Sequence, residues 1–160
     1  MKYEDLRNTN MTTITICSSA NFYREVVNVQ AQLEKLGFKV LIPASAEKMK
    51  ISGDFNASKY KVLVGNGDTY GTKADLMQGH FTEIEKADVL LVLNYKKHSI
   101  ENYIGGNVLI EMGIAFYLQK PIYILNGLPS ESLFLDEISG MNPIVLKGNL
   151  ATLFTHYKES

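Results

Sequence analysis

Residues 88–94 read Asp-Val-Leu-Leu-Val-Leu-Asn, and this near-continuous apolar run constrains the fold more than any other segment. A strand with one wet face alternates apolar and polar residues. A strand without alternation is covered on both sides, as in the middle of a parallel sheet. Such a strand needs helices above and below it, and the rest of the chain offers them in alternation with further strands.

Thr12-Thr-Ile-Thr-Ile-Cys17 is a β-branched first strand. Ser18-Ser-Ala-Asn21 follows and is placed to cap a helix. Phe22, Val26, Val29, Leu33 and Leu36 recur at helical spacing, and Gly37 stops that helix. Phe38–Ile42 is the second strand, ended by Pro43. Residues 44–71 are polar and glycine-bearing; they admit a helix around 55–64 or a short strand at 60–64. Thr72 is the expected cap of a third helix, whose inner face carries Met77, His80, Phe81 and Ile84. After the 88–94 strand comes a helix containing Glu111, then strands at 121–125 and 143–146 and a closing helix at 149–157.

Alternating strands and helices predict an α/β protein with a parallel sheet between two helical layers. Five strands suit a flavodoxin-like or Rossmann-like three-layer sandwich in the order 2-1-3-4-5. Ligands in such folds bind beyond the carboxyl ends of the strands, where the order reverses. That point falls between the first strand and the 88–94 strand. Ser18, Ser19 and Asn21 are expected on one side of it, and Asn94, Tyr95 and the Gly105-Gly106 turn on the other.

A length of 160 residues fits a single domain, 1–160, with residues 1–11 as a flexible lead-in lacking a signal-peptide core. The net charge is −1. Without a general basic surface, nucleic acid is not expected as a main partner. No run of 18 apolar residues exists, so no membrane span is expected. A single cysteine, Cys17, permits no internal disulfide and suits a reducing cytoplasm. We expect Cys17 to be a small buried hydrophobe.

Glu111 is the lone charge in Val108-Leu-Ile-Glu-Met-Gly-Ile-Ala-Phe-Tyr-Leu118. A helix apolar all round is buried, and an unpaired carboxylate inside it costs several kcal/mol. Glu111 is therefore paired or retained for chemistry. With Asn107 as N-cap, a capping acid belongs at position 110, which is Ile, so capping does not explain it. The Gly105-Gly106-Asn107 turn below offers backbone N–H groups to a phosphate or hydroxyl, although glycines there often only shape a turn. By periodicity alone His80 reads as a hydrogen-bonded core histidine, with proton transfer near pH 7 as the alternative. His98 and His156 read as surface residues. Gly65–Gly71 has the spacing G-x-G-x-x-x-G, which misses the dinucleotide fingerprint and reads as a loop. The chain has no Cys/His cluster, HExxH or P-loop, so no metal or other cofactor is expected. No G-x-S-x-G elbow surrounds Ser18 or Ser19, which argues against a serine hydrolase.

Three segments together resemble the nucleoside 2-deoxyribosyltransferase superfamily, which includes the 2′-deoxynucleoside 5′-phosphate N-hydrolases. They are Ile14-Thr-Ile-Cys-Ser-Ser19, His80-Phe-Thr-Glu-Ile-Glu-Lys-Ala-Asp88 and Gly106-Asn-Val-Leu-Ile-Glu-Met-Gly-Ile-Ala115. The last resembles the family's G-x-x-x-E-x-G-x-A nucleophile helix from Glu111 to Ala115, with its glycine, Gly106, one residue further upstream. The likeness spans roughly residues 12–125, and the tail resembles a less characterised branch. It implies that Glu111 attacks the anomeric carbon of a nucleoside or nucleoside 5′-monophosphate, with a neighbouring acid protonating the base. The family's proton-handling Asp falls on His80, which becomes the expected acid/base. The family's first-strand Tyr falls on Thr15, leaving Tyr103 or Tyr95 as replacements. Asn94, Asn107 and Tyr103 are expected to position the sugar, and Ser18, Ser19 and the Gly-Gly turn a 5′-phosphate. A homo-oligomer is also implied. The alternative is a non-catalytic nucleotide-binding module using the same pocket, and a third reading leaves Glu111 simply ion-paired.

Overall fold

A computed structural model describes residues 11–62 and 69–158. Five strands form one parallel sheet, β1 (Thr13–Ser18), β2 (Lys39–Leu41), β3 (Val89–Leu93), β4 (Ile122–Ile124) and β5 (Ile144–Val145), in the order β2-β1-β3-β4-β5. Around it lie α1 (Tyr23–Lys35), α2 (Ala44–Ser52), α3 (Ala57–Val62), α4 (Thr69–Lys86), α5 (Gly106–Tyr117), α6 (Leu135–Gly140) and α7 (Ala151–Lys158). This is the expected flavodoxin-like three-layer fold.

The two-residue period of the strands divides the core. Ile14 and Ile16 of β1, Val89, Leu91 and Leu93 of β3, and Tyr123 of β4 meet Val26, Val29 and Leu33 of α1 and Leu153 of α7. Cys17, Leu90, Val92, Ile122 and Ile124 point to the other face, toward Ile84 of α4, Val108, Met112 and Ala115 of α5, and Ile138 of α6. All five residues of β3 are buried, which accounts for its unbroken apolar sequence. Each contributes about 1.5–3 kcal/mol relative to an exposed side chain.

Gly37 ends α1 as expected, at φ 89°. The Phe38 N–H bonds to the Leu33 carbonyl at 3.1 Å and the Gly37 N–H to that of Glu34 at 3.0 Å, a Schellman motif that turns the chain into β2.

Four local expectations are corrected. Ser19 precedes a 3-10 turn at Ala20–Phe22 and makes no side-chain cap; α1 starts at Tyr23, with Phe22 in the capping position. The third crossover helix, α4, is already formed at Thr69, so Thr72 is inside it and does not cap it. The reading of Gly65–Gly71 as a loop fails at 69–71, which belong to α4, while its part at 65–68 lies outside the described residues, as does the lead-in at 1–10. The N-cap of α5 is Gly105 and not Asn107; a capping acid would then belong at Val108, so Glu111 is again no cap. Of the two options for 55–64, Ala57–Val62 is helical. No described helix is long and apolar enough to cross a membrane.

Candidate functional site

Strand order places the site. The chain leaves β1 for α1 on one face and β3 for α5 on the other, so the loops after them part at the top of the sheet. Ser18 of β1 is in register with Leu93 of β3, which puts Ser19 and Asn94 side by side just beyond the carboxyl ends.

Asn94 is fully buried and holds these loops together. Its Nδ2 donates to the Gly127 carbonyl at 2.8 Å and the Asn102 carbonyl at 3.4 Å, and its Oδ1 accepts the Asn126 N–H at 2.9 Å. Asn102, at φ 53°, donates in turn to the Leu128 carbonyl. A Cβ at Gly127 would stand 2.9 Å from Asn102 Nδ2, so a larger residue there would have to push the Asn102 amide aside. The loop after β3 is thus tied to the loop after β4, and no face of Asn94 is left open to solvent.

Above Asn94 the chain folds back at Lys97–Ile100, with His98 and Ser99 at positive φ. Lys97 Nζ donates to Ser19 Oγ at 3.0 Å and lies 4.6 Å from the centre of the Tyr103 ring. Tyr103 packs on Gly105, where an added Cβ would meet its hydroxyl at 3.0 Å. Ser19 Oγ also approaches Asn21 Oδ1 at 3.4 Å, and Ser18 Oγ donates to the Ser19 carbonyl at 3.0 Å. Ser18, Ser19, Asn21, Lys97, Tyr103 and Gly105 therefore form one connected rim. Gly106 and Asn107 are exposed in the first turn of α5. Tyr95 turns inward, its ring edge-to-face with Phe22 at 5.3 Å; burial, then the charge of Glu25, raises its phenol pKa.

Glu111 lies in the second turn of α5, only 8% exposed. Its Oε1 is 2.6 Å from Nδ1 of His80, which reaches it from α4. Both side chains are nearly closed off, at 13% exposure for His80 and 10% for Glu111. Burial pulls the imidazole pKa down, but the hydrogen bond to Glu111, the charge of Glu111 and that of Glu83 outweigh it, and the net shift is upward. His80 is thus biased toward imidazolium.

Cys17 completes the floor. Its thiol is held protonated by burial first, then by the negative charge of Glu111 and a hydrogen bond donated to that carboxylate, which push its pKa well up. Cys17, which Glu111 adjoins, immediately precedes Ser18 and Ser19 of the rim. Tyr23, at the start of α1, feels the same carboxylate: burial first, then Glu111, raises its phenol pKa.

Sequence reasoning passed over four contributors. Cys17 is the buried residue expected, and it also bonds the carboxylate. Tyr23, rather than Tyr95 or Tyr103, is the tyrosine within the field of Glu111. Glu83 stands one turn along α4 from His80, a spacing the sequence displays. Lys97 is a cation three residues past the end of the apolar strand. His98 and His156 are exposed, and His156 Nδ1 bonds the Tyr123 hydroxyl at 2.8 Å. Among the described residues no group of three or more His, Cys, Asp or Glu side chains is arranged to hold a metal ion. A cavity of about 450 Å³ lies at the free edge of β2, between α1, α2 and α4; Glu83 is among its lining residues and Glu111 is not. No family model matches the chain, and no curated protein matches it.

Proposed function

We propose that this protein cleaves the N-glycosidic bond of a nucleoside or nucleoside 5′-monophosphate, with Glu111 as nucleophile and His80 as acid/base. The observation that carries this reading is the buried 2.6 Å contact between Glu111 Oε1 and His80 Nδ1 beneath the rim at the reversal of strand order. The resemblance of the three segments to the deoxyribosyltransferase superfamily supports it.

Glu111 attacks the anomeric carbon as the bond to the base breaks, and the His80 imidazolium protonates the departing base. Neutral His80 then takes a proton from a water that attacks the same carbon and releases Glu111 as carboxylate. Two displacements retain configuration. Ser18, Ser19, Lys97 and the free N–H groups at the start of α5 suit a 5′-phosphate, which favours hydrolysis of a monophosphate over transfer between bases. Tyr103 and Asn107 flank the sugar. Asn94 acts through the loops it holds.

A panel of ribo- and deoxyribonucleosides and their 5′-monophosphates tests the reading, with free base followed by chromatography. The expected result is release by the wild type that is lost in Glu111→Ala; unchanged release by that variant overturns the assignment. The burial of Glu111, only 8% exposed, favours a second reading, a non-catalytic nucleotide-binding module using the same pocket. It is supported if a panel member raises the melting temperature without any base release.

A further inference from the structure

His80 has a carboxylate opposite each ring nitrogen. Nδ1 bonds Glu111 Oε1 at 2.6 Å, and Nε2 lies 3.5 Å from Glu83 Oε2. Neither Nε2 nor that oxygen has a hydrogen-bond partner among the described residues, and both are shut off from solvent. With a proton on Nε2 this contact is attractive. With a neutral ring donating from Nδ1, two lone pairs would oppose one another.

Helix geometry fixes the arrangement, because Glu83 follows His80 by three residues on α4. Each element packed around the ring adds a titratable group. From α5 comes Glu111, from α4 Glu83 with Lys86 acting on it, from β1 Cys17 and from α1 Tyr23. Cys17 and Tyr23 stay protonated, so the carboxyl groups facing the ring are those of Glu111 and Glu83; burial raises the pKa of Glu83, and the charge of His80 opposes that.

We propose that Glu83 is a positioning residue for the pair: it holds the imidazole at Nε2 and retains its proton while Glu111 is committed to the sugar. This rests on the glycosidic reading. When the Glu111–C1′ bond forms and the C1′–N bond breaks, Glu111 becomes a neutral ester and the ring proton goes to the base nitrogen. Glu83 is then the anion left beside the ring. It favours the return of a proton from the attacking water as the water O–C1′ bond forms and the ester bond breaks. Glu83 itself neither gains nor loses a proton.

The test is an NMR titration of the His80 ring in the wild type, Glu83→Gln and Glu83→Asp. His98 and His156, the remaining two of three histidines, serve as internal controls. The His80 midpoint is expected to fall by about one pH unit in Glu83→Gln, with partial recovery in Glu83→Asp and no change at the controls. An unmoved midpoint in folded Glu83→Gln overturns the proposal. If that variant does not fold, Glu83→Asp decides, because the shorter side chain draws the carboxylate back and the midpoint must fall part of the way. The alkaline limb of kcat/KM for base release should move down with the midpoint. A shifted midpoint without base release by the wild type keeps Glu83 as the residue that holds the proton and removes the glycosidic reading. Glu111-dependent release with an unmoved midpoint does the reverse.

Discussion

Replacing Glu111 with Ala should destabilise the protein by an amount that shrinks as pH rises. The variant takes the carboxylate from His80 Nδ1 and from the Cys17 thiol. Both members of the ion pair are nearly closed to solvent, so screening weakens it little. Removing one partner of a buried pair costs about 3–5 kcal/mol if the other charge stays behind. Here the ring escapes part of that cost by losing its proton, and Glu83 still faces Nε2, so about 2–3 kcal/mol is expected at pH 6. The folded pKa of His80 is raised above the unfolded value of about 6.5. Its contribution is therefore fully present below that value and is lost as pH rises through the folded one. Removing Glu111 also relieves its repulsion of Glu83, a gain that grows with pH. By pH 9 the penalty should fall to about 1 kcal/mol, the packing and thiol remainder. Urea unfolding followed by circular dichroism, with an unchanged slope, measures both values. For a chain of this length the melting temperature should fall by roughly 5–10 °C at pH 6 and 2–4 °C at pH 9. A penalty equal at the two pH values, or larger at pH 9, would refute the ion-pair argument. So would a gain in stability at both.

Asn94→Ala should cost about 2–4 kcal/mol in urea unfolding, because it leaves the part-buried Gly127 and Asn102 carbonyls and the Asn126 N–H without their partner; a loss under 1 kcal/mol would mean the loops hold without it. Lys120→Met should cost about 1–2 kcal/mol by the same assay, since Lys120 Nζ donates to the carbonyls of Glu85 and Ala87 and ties the end of α4 to the segment between α5 and β4; no loss would place those carbonyls in the care of solvent.

The sheet was legible because its strands differ in kind. β3 has no polar residue to hide, β1 alternates Ile with Thr and Cys, and each pattern has one physical reading. The segment between β2 and β3 was not legible for the opposite reason. α2 buries only Ala46 and Met49 at the sheet edge, too few apolar contacts to impose a helical period. α6 commits a single residue, Ile138, to the core and left no pattern in the sequence. At α4, glycines at 71 and 79 weaken the local helix signal, yet the helix spans Thr69–Lys86 and packs on α5 and β1.

Glu111 was legible as a lone charge on an apolar helix, and His80 as a histidine on an apolar face. Their meeting was legible only through the family resemblance and not from periodicity, since it depends on how α4 lies against α5 over β1. The same holds for Glu83, whose spacing from His80 has meaning only once the ring is known to face inward. Pairing explains how Glu111 is tolerated but not why it is there. A buried ion pair is often no more stabilising than apolar residues of the same volume, and the neighbours Cys17, Met112 and Ile84 would accept such a pair. The chain instead keeps Glu111, His80 and Glu83 together, at a cost in desolvation, beneath the loops where the strand order reverses. The reading proposed above gives that placement a reason: a nucleophile beside its proton donor.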